Sequence, residues 1–191
     1  MSSTNRSEAR DTHIADYYVT PIDKIINFID AFVKVEEDFE GKILDPCSGG
    51  DENHPMSYPE ALKRCGYTNI DTIDIREDSL ANIKGNYLEM DCKDKYNIII
   101  TNPPFNLARE IIEKALDDVQ EDGFVIMLVR LNFFGGKLRR DMWENHMPKY
   151  SFVYNKRLSF TDDNKTDSIE YQHLIWQKGH YPDFTQLRVI D

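Results

Sequence analysis

The sequence predicts an α/β fold with a mostly parallel sheet, on three observations. Short apolar, β-branched runs alternate along the chain with segments whose apolar residues recur at helical spacing. The run Phe124–Leu131 is apolar almost throughout, as in a strand covered on both faces. The runs also end in residues that carry chemistry (Asp45, Asp74, Thr101), and parallel sheets bind ligands beyond the carboxyl ends of their strands.

The elements follow in order. Residues 1–15 form a polar lead, and 16–191 one domain. Thr20-Pro21-Ile22-Asp23 reads as a helix start, with Thr20 at the N-cap, Pro21 in the first helical position and Asp23 reaching back. Ile22, Ile25, Ile26, Ile29, Phe32 and Val33 then give one apolar face. Lys42–Asp45 is a short strand, followed by the long loop PCSGGDENHPM. Ser57 and Glu60 suggest a capping box for a helix over Tyr58–Cys65, stopped by Gly66. Strands are expected at Ile70–Ile75, Asn86–Met90 and Tyr96–Thr101. Ala108, Ile111, Ile112, Ala115, Leu116 and Val119 mark an amphipathic helix. After the Phe124–Leu131 strand come a helix near Leu138–His146 and strands near Tyr150–Tyr154 and Glu170–Gln177. No internal repeat or linker interrupts this series.

Composition narrows the function classes. The 191 residues suffice for one real core, and a net charge of −11 works against nonspecific coating of nucleic acid. The charge is uneven: residues 130–157 sum to +5. Cys47, Cys65 and Cys92 are far apart and the five histidines are scattered, which fits a reducing compartment and gives no metal site. No stretch approaches the ~18 apolar residues of a membrane span, and the amino end has no apolar signal core, so a cytoplasmic protein is expected.

The densest chemistry lies at Asn102-Pro103-Pro104-Phe105. Consecutive prolines fix two backbone torsions and hold Asn102 extended. A carbonyl set this way is a rigid acceptor, the Asn102 side-chain oxygen a second, and Phe105 a flat stacking surface. Together they suit a planar ligand bearing an exocyclic amino group. Such a nitrogen is a poor nucleophile because its lone pair is delocalised. Two acceptors on its protons favour the tetrahedral form and stabilise the charge that grows as it attacks. A plain Asn-Pro turn is the competing reading. Glycines in Asp45-Pro46-Cys47-Ser48-Gly49-Gly50 allow close backbone approach to a ligand, or simply a turn. Asp74 can accept from both hydroxyls of a ribose, or be a solvated strand-end acid.

In this order the pieces resemble the class I S-adenosylmethionine-dependent methyltransferases, specifically the amino-methyltransferases with an NPPF motif that include DNA N6-adenine enzymes. The resemblance covers roughly residues 16–178. It implies a Rossmann-like, seven-stranded, mostly parallel sheet with the last strand antiparallel, S-adenosyl-L-methionine as cofactor, and transfer to an amino nitrogen, adenine N6 in DNA first. Tyr18 and Thr20 would meet the methionine end, Asp45, Pro46, Ser48 and Gly49 would line its pocket, Asp74 would bind the ribose, and Ile75 and Asn86 the adenine. Asn102, Pro103, Pro104 and Phe105 would form the catalytic motif, with Phe105 stacked on a flipped base and Phe160 on its other face.

Two departures stand out. Asp51 occupies the place of the last loop glycine, and too little chain follows the core for a target-recognition domain. Recognition would then fall to a partner subunit or to the loop LNFFGGKLRRDMW, where Phe133, Phe134, Lys137, Arg139 and Arg140 combine stacking with phosphate-binding charge. Those aromatics could equally be core and those cations a solvated helix face. Alternative acceptors are an RNA base or a protein glutamine amide; the other alternative is a non-catalytic subunit. A nicotinamide dehydrogenase is disfavoured, since no G-x-G-x-x-G follows the first strand.

Overall fold

A computed structural model describes residues 19–37, 39–160 and 169–191. Eight strands are present: β1 (Ile43–Asp45), β2 (Ile70–Asp74), β3 (Ile83–Lys84), β4 (Tyr96–Thr101), β5 (Val119–Arg130), β6 (Tyr150–Tyr154), β7 (Tyr171–Gln177) and β8 (Gln186–Ile190). They pair in the order β3-β2-β1-β4-β5-β7-β6-β8. All pairings are parallel except those of β7, which runs antiparallel to β5 and β6. The strand order turns back between β1 and β4, which is where such sheets open a crevice.

Helices α1 (Ile22–Phe32), α2 (Ser57–Arg64), α3 (Ala108–Asp118) and α4 (Arg140–Asn145) cover the faces. Alternation along β4 assigns the layers. Ile98 and Ile100 join the core under α1 and α2, with Phe28, Phe32 and Leu62; Ile99 joins that under α3, with Ile111, Ile112 and Ala115. Phe28, Phe32 and Phe152 pack ring on ring with centroids 5.5–6.0 Å apart. Truncating either phenylalanine of α1 to alanine should cost about 3–5 kcal/mol.

Four local expectations change. Thr20 does not cap α1: Pro21 holds the N-cap position and its carbonyl accepts from Lys24 and Ile25. Ser57 lies inside α2, Met56 precedes it without a side-chain cap, and Glu60 pairs with Arg64, so no capping box forms. The third strand is Ile83–Lys84, not Asn86–Met90, because Gly85 turns the chain at φ 146° and the Asn86 side chain caps a short 3-10 turn over Tyr87–Glu89. Finally, β8 adds a parallel strand beyond β6, at the sheet edge. Its alternation is hard to read because Leu187 and Val189 are exposed.

Candidate functional site

A cleft of about 790 Å³, partly open to solvent, lies over the carboxyl ends of β1, β2 and β4. That is within the usual range for small-molecule sites. Thr20, Pro46, Ser48, Gly49, Asp74, Ile75, Asn86, Asn102 and Pro104 line it. Segments more than fifty residues apart in sequence thus meet around one space.

The loop after β1 is built by its glycines and tied to β2. Gly49 and Gly50 both have left-handed backbone, at φ 62° and 74°. A side chain at Gly50 would meet Met56 Cγ at 2.6 Å. The Gly49 amide donates to Asp74 Oδ2 at 2.7 Å, and Ser48 donates to the Ile73 carbonyl from both its amide and its hydroxyl. Asp51 needs no glycine conformation: its carboxylate accepts from the amides of Asn53 and His54 and closes a local turn.

Asp74 is 7% exposed, and its other oxygen accepts from the Arg76 amide at 2.8 Å. Each carboxylate oxygen keeps a second lone pair for a ligand. Ile75 beside it is exposed, as a wall residue would be. Asn86 also lines the cleft, but its amide already bonds the Leu88 amide and the Glu89 carboxylate.

Asp45 lies fully buried beneath the loop, accepting from the Cys47 amide at 3.2 Å, with Oδ2 unpartnered. Burial pushes its carboxyl up to about 7; the Thr101 hydroxyl, which approaches without closing a hydrogen bond of ordinary geometry, and the Cys47 amide pull the other way. The Cys47 thiol lines the cleft, and burial, then the charges of Asp45 and Asp74, raise its pKa well above the ordinary range.

Asn102 supplies the most telling contact. Its Nδ2 donates to Thr20 Oγ1 at 3.1 Å, so the threonine hydroxyl orients the amide. Its Oδ1 is buried and has no hydrogen-bond partner. A buried acceptor left unsatisfied costs roughly 1–3 kcal/mol, which a ligand donor would return. Pro103 is buried.

The remaining expected residues sit elsewhere. Phe105 is not among the residues lining the cleft; it is half-buried, with the Arg130 guanidinium 4.0 Å from its ring centroid and Tyr171 at 6.1 Å. Phe160 is 8% exposed and packs edge-on against Tyr171, 4.8 Å away. Phe133 is buried against Trp143, and Arg139 donates to the carbonyls of Phe133 and Gly135. Arg140 pairs with Glu144 on the surface, while Phe134 and Lys137 are exposed. Tyr18 and the lead 1–15 lie outside the described residues.

Several lining residues escape sequence reasoning. Leu107 and Ile111 stand one turn apart where α3 begins, a spacing legible after the NPPF motif. Tyr58 carried no local signal. Its hydroxyl contacts His173 Nε2 at 2.8 Å, and His173 Nδ1 contacts the Tyr154 hydroxyl at 3.2 Å. Tyr154 donates to the Lys24 carbonyl, so its oxygen must accept from Nδ1–H, leaving Nε2 to accept from Tyr58. The ring is therefore neutral. Burial agrees, pushing His173 down to about 3.

No family model and no curated protein matches the chain. Solved structures do match. One is a class I S-adenosylmethionine-dependent methyltransferase of provisional assignment from Listeria monocytogenes, with TM-score 0.64 at 15% identity over 94% of this chain and 68% of that one. The chain has the class I methyltransferase fold. A provisionally assigned RNA methyltransferase from Pyrococcus horikoshii matches with TM-score 0.63 at 16% identity, over 86% of this chain and 88% of that one. The methyltransferase subunit of a type I restriction-modification system from Streptococcus thermophilus matches with TM-score 0.59 at 12% identity; 90% of this chain spans 47% of that subunit. At these identities the likeness fixes the fold, and the fold places the cleft where the topology turns back. Among the described residues no group of acids, cysteines and histidines could hold a metal ion, and no helix is long and apolar enough to cross a membrane.

Proposed function

We propose that the chain is an S-adenosylmethionine-dependent methyltransferase acting on an exocyclic amino nitrogen, adenine N6 in DNA first. One observation carries this reading: the Asn102 side-chain oxygen is a buried, unpartnered acceptor in a motif at the cleft, its amide held by Thr20.

The residues present fit the cofactor. Asp74 would take the ribose hydroxyls, Ile75 and Asn86 the adenine, and Thr20, Pro46, Ser48 and Gly49 the methionine end above Asp45. Two carboxylates beneath the loop favour a group carrying positive charge. When bound, the cofactor supplies a methyl group activated on a sulfonium. Cys47, held protonated, offers no thiolate to compete for it. The protein's own part is positioning. Asn102 Oδ1 and the Pro103 carbonyl accept both protons of the target amine, which frees its lone pair and stabilises the charge growing on nitrogen.

Mass spectrometry of nucleosides from methylation-deficient DNA, with and without expression of the chain, tests this. N6-methyladenine should appear with the wild type and not with Asn102→Ala. A second acceptor, an RNA base, is favoured by the likeness to the Pyrococcus protein, which this chain matches over nearly its whole length. Modified adenosine in digested RNA but not in DNA would select it. A protein glutamine amide would leave both digests unchanged, and a partner subunit for target recognition fits the restriction-system likeness.

A further inference from the structure

Arg130 ends β5, and alternation with Phe124, Ile126 and Leu128 turns it toward the face covered by α1 and α2. Its guanidinium lies 4.0 Å from the centroid of the Phe105 ring. Its Nε is buried without a hydrogen-bond partner. Arg109, Arg140 and Arg157 each pair with a carboxylate; Arg130 pairs with none among the described residues. A guanidinium held only over an aromatic face is weakly satisfied, and a bidentate oxyanion is a much better partner for it.

The position matters because Phe105 closes the motif that begins at Asn102. A ring whose amine reaches Asn102 would stack on Phe105. Carbon–carbon contact needs about 3.5 Å on each side, so a ring between Phe105 and Arg130 would need about 7 Å. The observed 4.0 Å admits none. Tyr171 borders Phe105, and Phe160 packs against Tyr171, so neighbouring aromatic groups are already in place. A base can therefore take this face of Phe105 only if Arg130 gives it up, and a nucleotide brings a phosphate to receive it.

We propose that Arg130 determines specificity for a nucleic-acid substrate: its guanidinium holds the Phe105 face, yields it to the incoming base, and binds a phosphate of the same strand. A glutamine amide in a protein brings no such anion. The inference rests on the methyl-transfer reading.

The test titrates a short fluorescein-labelled single-stranded DNA of mixed sequence into the full chain across a salt series, for the wild type, Arg130→Gln and Arg130→Lys. The slope of log affinity against log salt should fall in magnitude by about 0.7 in Arg130→Gln, the value for one lost phosphate contact on a single strand, and be kept in Arg130→Lys. A purely packing role would move the melting temperature and not the slope. An unchanged slope in Arg130→Gln, or no binding of the strand by the wild type, overturns the proposal. Should Arg130→Gln not fold, Arg130→Leu replaces it with the same expected slope. Calorimetry with S-adenosylhomocysteine runs alongside. Equal affinity in all variants with an unchanged slope sinks the Arg130 role alone, whereas no binding by the wild type removes the methyl-transfer reading beneath it.

Discussion

Asn102 and Asp74 divide the work of the cleft, and their contacts say how to separate them. Asn102 Oδ1 is an unmatched acceptor for the substrate amine, so Asn102→Ala should lower kcat by roughly 10²–10³-fold, the usual loss for one oriented group at a developing charge. Affinity for S-adenosylhomocysteine should stay within about twofold, since half a kcal/mol or less is at stake. Asp74→Ala should do the opposite. Losing the carboxylate removes ligand hydrogen bonds and frees the Gly49 and Arg76 amides, weakening the same ligand by roughly 10–100-fold in calorimetry, about 1.5–3 kcal/mol. Both residues were legible because each ends an apolar strand. Thr20 was legible too, but its local signal misled. A Thr-Pro pair before an apolar periodicity signals a cap, while its actual partner Asn102 lies eighty-two positions away.

The glycine loop shows how an element can keep its geometry while losing a motif position. A side chain at Gly50 meets both an unfavourable φ of 74° and Met56 at 2.6 Å. Gly50→Ala should therefore destabilise by about 1–3 kcal/mol in denaturant unfolding and loosen cofactor binding as the loop shifts. Asp51→Gly, which restores the family spacing, should lower the melting temperature, because the carboxylate that closes the 51–54 turn is gone. Strand and helix positions followed from periodicity wherever a face is buried, as in α1, α3, β4 and β5. The short β3 has no buried face to announce it, and the β8 pattern is blurred by exposed apolar residues. The aromatic and basic loop after β5 was ambiguous for another reason: sequence cannot tell an arginine that waits for a phosphate from one, like Arg139, whose donors already bond loop carbonyls.

Over the whole molecule, two buried titrating groups act on stability in opposite directions. His173 falls from 6.5 to about 3 on folding, so below pH 6.5 the unfolded chain takes up a proton that the folded chain refuses, and stability drops as pH falls through that window. Asp45 rises from 3.8 to about 7, so it keeps a proton that the unfolded chain has lost, and stability drops as pH rises from 3.8 towards 7. Urea unfolding across this range should show Asp45→Asn gaining on the wild type with rising pH, and His173→Gln with a flatter acid limb. The outer rim of the sheet adds a colloidal constraint. Phe184, Leu187 and Val189 stand 83%, 63% and 58% exposed along β8 or just before it, on a strand whose far side has no neighbour among the described residues. Such a border invites like strands to zip together, and mutual repulsion between acidic copies is what keeps them apart. Near the isoelectric point of about 4.9 that repulsion vanishes, so turbidity should peak there and recede on either side while circular dichroism remains native.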